Sequence, residues 1–81
     1  MLGKTNPETK ASKISKCIEA NIRLEMYRHG ENGEVLSKVL DFGYMTWLRR
    51  MRDAGTFTVN ELQQLCRHWE IPLSDLFQER K

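Results

Sequence analysis

Thr58-Val59-Asn60-Glu61-Leu62-Gln63-Gln64-Leu65-Cys66-Arg67-His68-Trp69 opens on a capping box and continues at helical spacing. Thr58 and Glu61 stand three positions apart, the separation at which each side chain satisfies the other's free backbone donor. Val59, Leu62, Leu65, Cys66 and Trp69 then fall inward on one helix face. Ile71-Pro72 breaks this helix, and Pro72 starts a last short one that docks Leu73, Leu76 and Phe77 back onto the rest.

Helical patterning extends upstream. Ile14, Ile18, Ile22 and Met26 recur every four residues, with Cys17, Leu24 and Tyr27 on adjoining positions, and Gly30 supplies the left-handed stop. Two starts compete for this first helix. Asn6-Pro7-Glu8 offers a cap, a proline and an acid, whereas Ser12 stands directly before the apolar stripe and is the favoured cap. Asn32 caps a second helix that turns Val35, Leu36, Val39 and Leu40 inward. Asp41-Phe42-Gly43 interrupts it. A third helix follows, with Trp47, Leu48 and Met51 as its apolar face, and Gly55-Thr56 makes a turn. No stretch alternates with period two long enough for a strand. The sequence therefore predicts an all-α fold of five helices, with a polar lead-in over residues 1–12 and one domain over residues 13–81.

Composition agrees with a small globular domain. The chain has 81 residues, 40% hydrophobic and 30% charged, with 5 Gly and 2 Pro. These values exclude collagen-like, low-complexity and fully disordered classes. No apolar run reaches the roughly 18–20 residues that a membrane-spanning helix needs. The first 13 residues lack the apolar centre of a signal peptide, so a cytoplasmic protein is expected. Cys17 and Cys66 form no CxxC pair, and His29 and His68 stand alone in sequence. Both cysteines read as packing residues, and neither a metal nor another cofactor is expected. No nucleophile–base pair, phosphate loop or metal cluster gives catalysis a foothold. The net charge is only +2. Residues 43–52, however, carry Arg49, Arg50 and Arg52 without an acid, the local field that attracts a polyanion.

The order of these parts resembles the lambda-repressor-like helix-turn-helix family of phage repressors and Cro proteins. The resemblance rests on Glu34-Val35-Leu36-Ser37-Lys38-Val39-Leu40 leading into a basic third helix, on the capping-box helix, and above all on Ile71-Pro72-Leu73-Ser74-Asp75-Leu76-Phe77. It covers residues 22–77. It departs from the family pattern at the start of the second helix, where Asn32 and Gly33 replace Ser or Thr followed by Gln. The turn holds Asp41-Phe42-Gly43 in place of Gly, an apolar residue and Ser, and Arg52 stands where a glutamate is usual.

The resemblance implies a compact five-helix domain, a third helix placed in the major groove, and a sequence-specific transcriptional regulator. A repressor of phage or mobile-element type is the expected role. The candidate DNA contacts are Tyr44, Met45 and Thr46 near the helix start, Arg49, Arg50 and Arg52 further along, and Asn32 and Lys38 on the second helix. An arginine takes a guanine edge through two atoms or holds a phosphate, and Met45 suits a thymine methyl. Trp47 and Trp69 read as core. One such helix reads only a few base pairs, so the expected partner is a pseudo-palindromic duplex bound by a homodimer. The alternative is a protein-interaction module or an antitoxin built on the same scaffold.

Overall fold

The computed structural model describes residues 10–79, and among them four α-helices and two short 3-10 segments follow in order. The helices are α1 (Lys10–His29), α2 (Gly33–Val39), α3 (Tyr44–Arg52) and α4 (Val59–Trp69). A first 3-10 turn (Ala54–Thr56) follows α3, and a second (Leu73–Phe77) follows α4. No strand is present among the described residues. The all-α expectation holds.

The number of α-helices is four, not five. The expected fifth is the 3-10 segment Leu73–Phe77, opened by the Asp75 N–H donating to the Pro72 carbonyl at 3.0 Å. The side-chain amide of Asn21 on α1 donates to the carbonyls of Leu76 and Gln78 at 2.9 and 2.8 Å. These bonds dock the end of the segment onto α1 across the domain, and the segment itself is a short 3-10 piece. Ser12 also lies inside α1 rather than capping it, because α1 is already helical at Lys10. The rival start at Asn6-Pro7-Glu8 and most of the lead-in lie outside the described residues.

Three helices stop in the same way. Gly30, Asp41 and Glu70 all take left-handed backbone, with φ of 62, 60 and 59°. In each case the next residue's N–H reaches back to the carbonyl five positions earlier: Glu31 to Met26 at 2.9 Å, Phe42 to Ser37 at 3.0 Å and Ile71 to Cys66 at 3.0 Å. This closes the orphan carbonyls at each helix end. The Thr58–Glu61 capping box forms as the sequence implies, with both bonds at 3.0 Å. Asn32 caps α2 by accepting from the Val35 N–H at 3.1 Å.

The core gathers Ile18 and Ile22 of α1, Leu36 and Leu40, Trp47 and Met51 of α3, Ala54, Phe57, and Leu62, Leu65, Cys66 and Trp69 of α4, with Leu76 of the second 3-10 turn. Cys66 is buried and Cys17 half-buried, and both are free thiols. Six residues read as part of the apolar faces are instead exposed: Ile14, Tyr27, Val35, Leu48, Val59 and Phe77. Helix geometry explains two of them. α3 presents Trp47 and Met51, one turn apart, to the core, and Leu48 stands about 100° round the axis from Trp47. On α2, Leu36 and Leu40 hold the inward line, leaving Val35 to one side by the same step. α2 packs on α3 and α4, and α1 packs on both 3-10 turns.

Candidate nucleic-acid interface

α3 is held against α2 by an unusually close approach. A β-carbon built on Gly33 would stand 2.5 Å from both Cδ1 and Nε1 of the Trp47 indole and 3.0 Å from a ring carbon of Tyr44. Only glycine leaves room for Trp47 to seat where it does. The unexpected Gly33 at the second helix is thus a packing device that sets the separation of α2 and α3.

On the other side, Arg50 ties α3 to α4. Its Nε and one terminal nitrogen each donate to a Glu61 oxygen at 3.0 Å, a two-point ion pair. The guanidinium also lies 5.7 Å from the centre of the Phe42 ring. Glu61 serves the α4 cap and α3 at once, since the same carboxylate accepts from the Thr58 N–H. The Arg50 hydrogen bonds hold the Glu61 carboxyl below its ordinary value against the effect of burial, with the Thr58 backbone bond and the Arg50 charge adding to them. Arg50 was expected on the outward face beside Arg49. It stands instead at the α3–α4 junction, about 100° per residue round the helix from its neighbour.

With Arg50 withdrawn, the exposed face of α3 consists of Tyr44, Met45, Leu48, Arg49 and Arg52. Met45 is 68% exposed, Tyr44 44% and Leu48 39%. Thr46 is half-buried at the edge of this face. No acidic residue occurs in α3. Lys38 is exposed on neighbouring α2, and Asn32 is exposed with its side-chain oxygen committed to the cap. The structure thus groups Tyr44, Met45, Arg49 and Arg52 on one face, leaves Thr46 at its margin, places Lys38 on α2 and Asn32 at its N-cap, and turns Arg50 to the α3–α4 junction. Leu48 joins the face although its apolar character argued for the core. Its spacing of four from Tyr44 and three from Met45 was the available signal.

A second polar cluster lies at the link between α1 and α2. Glu31 accepts from the Trp69 indole N–H at 2.8 Å, and its other oxygen is 2.7 Å from Nε2 of His68. Burial pushes the Glu31 carboxyl up, but the bonds from Trp69 and His68 and the charges of His68 and His29 outweigh it and leave it below its ordinary value. The ring of His29 stacks on Trp69 at 6.3 Å, and its Nε2 stands 3.4 Å from buried Glu25, which also accepts from Arg28 at 3.0 Å. Both histidines are therefore paired, contrary to the isolation their sequence positions suggest. They brace α1 to α4. Burial raises the Cys66 thiol above its ordinary value, with Asp75 and Glu25 adding to the effect, so it stays an uncharged packing residue.

Among the described residues no helix is long and apolar enough to cross a membrane. Compared with protein-family models, with curated proteins and with solved structures, the chain matches none.

Proposed function

We propose that this protein is a sequence-specific DNA-binding regulator in which α2 and α3 act as a helix-turn-helix and the exposed face of α3 enters the major groove. The observation that carries the reading is this face: two guanidinium groups, Arg49 and Arg52, without a side-chain partner among the described residues, on a helix devoid of acid. Such a face attracts phosphate, and its first turn carries the side chains that reach base edges in this docking mode. Lys38 extends the positive field onto α2. The resemblance to lambda-repressor-like proteins adds the role, a cytoplasmic repressor of phage or mobile-element type bound as a homodimer to a pseudo-palindromic operator.

A mobility shift on random duplex DNA, repeated across a salt series, tests the reading. Binding should weaken steeply as salt rises, with a log–log slope of about one for each phosphate held. Absence of a shift at low salt would remove it. A second reading draws on the exposed Tyr44, Met45 and Leu48, which suit a protein-docking face of an interaction module or antitoxin. That reading predicts no salt-sensitive DNA binding.

A further inference from the structure

We propose that the α3 face selects its site by apolar contact of Met45 and Leu48 with thymine methyl groups, with Arg49 and Arg52 acting as phosphate anchors; this rests on the DNA-binding reading above. In the major groove, adenine is read by paired contacts from Asn or Gln, cytosine by a carboxylate accepting from its amino group, guanine by Arg or Lys, and thymine by apolar contact with its methyl. α3 contains no Asn, Gln, Asp or Glu, so it has neither the paired amide contact that reads adenine nor the carboxylate that reads cytosine, and the hydroxyls of Tyr44 and Thr46 are its only uncharged polar side-chain groups apart from the Trp47 indole. The guanidinium at the α3–α4 junction is committed to Glu61 through two bonds of 3.0 Å.

Beside those hydroxyls, the most exposed side chain near the start of the helix is the apolar Met45, at 68%. Met45 and Leu48 are three positions apart on one ridge, the spacing that brings helix side chains together, and both are exposed. The unbranched thioether of Met45 adapts to an irregular apolar surface better than a branched side chain. Arg49 and Arg52 lie later on the same face, where their charge complements the backbone that flanks the groove. Electrostatics thus brings the helix to any duplex, and the methyl contact distinguishes one sequence from another.

The test begins with binding-site selection by the full chain. In the preferred duplex each thymine is then replaced in turn by uracil, which removes only the methyl. The expected result is a loss of roughly fourfold at one or two positions in each half-site. Met45→Ala or Leu48→Ala should bind more weakly and no longer distinguish thymine from uracil at the corresponding position. Both positions are exposed, and circular dichroism is the check that the variants fold. Binding that ignores uracil, or a uracil effect unchanged in both variants, overturns the methyl reading while leaving DNA binding standing. If no duplex is bound or selected, the underlying DNA reading falls, the methyl proposal falls with it, and the apolar face is assigned to a protein partner.

Discussion

Gly33 and Trp47 meet so closely that one added methyl group decides whether α3 can sit where it does. Gly33→Ala should destabilise the domain by about 1–3 kcal/mol, the usual result of overpacking a filled site, even though alanine is the better helix former. Thermal denaturation monitored by circular dichroism checks this; an unchanged or raised midpoint would show that the indole moves aside at little cost. Arg50 offers the second residue-scale case. Arg50→Ala should cost about 1–2 kcal/mol of stability, because it strips a half-buried Glu61 of two charged hydrogen bonds whose partial exposure limits their strength. It should leave the preferred DNA sequence unchanged. Arg49→Ala should do the opposite, leaving the fold intact and weakening DNA binding, as denaturation and binding curves on the two variants would report. From sequence alone the two arginines are indistinguishable neighbours. Their separation depends on an acid eleven positions away whose role in the α4 cap was legible but whose second bond was not.

Helix starts and stops differ in how plainly the sequence announces them. The Thr58–Glu61 box, the Asn32 cap and the Gly30 stop were all readable, because each is local chemistry with a distinctive residue type. Asp41 and Glu70 take the same left-handed conformation as Gly30 without glycine, and nothing local marks Glu70 for it. The docking of Leu73–Phe77 onto α1 likewise runs through Asn21, more than fifty residues away. Long-range polar bonds of this kind leave no periodic trace. The two depressed carboxyls, Glu31 and Glu61, make a prediction about acid. Each has a folded-state value below its ordinary 4.5, so each contributes stability that is fully present above that pH. The contribution is lost as pH falls through the folded-state value. Urea denaturation at a series of pH values should show stability dropping below about pH 4.5. Glu31→Gln should be less stable at neutral pH and should lose less on acidification. An unaltered acid slope in that variant would separate Glu31 from the effect.

At the scale of the whole molecule, the domain is a scaffold that presents one side of α3. Gly33 and Trp47 fix α3 against α2, Arg50 and Glu61 fix it against α4, and Glu31, His68 and Trp69 tie α4 to the link that leads into α2. None of Tyr44, Met45 or Leu48 belongs to the buried core. One copy of α3 spans only a few base pairs, so two protomers should assemble on each selected duplex, a stoichiometry that light scattering would read. In the proposed function, DNA meets this protein on the outer face of α3. Titrating a selected duplex into isotope-labelled protein and following the backbone amide resonances tests it most directly. The account predicts that the largest shifts cluster on Tyr44, Met45, Leu48, Arg49 and Arg52, with smaller ones at Asn32 and Lys38. Shifts confined to α1 or α4, or none at all, would contradict it.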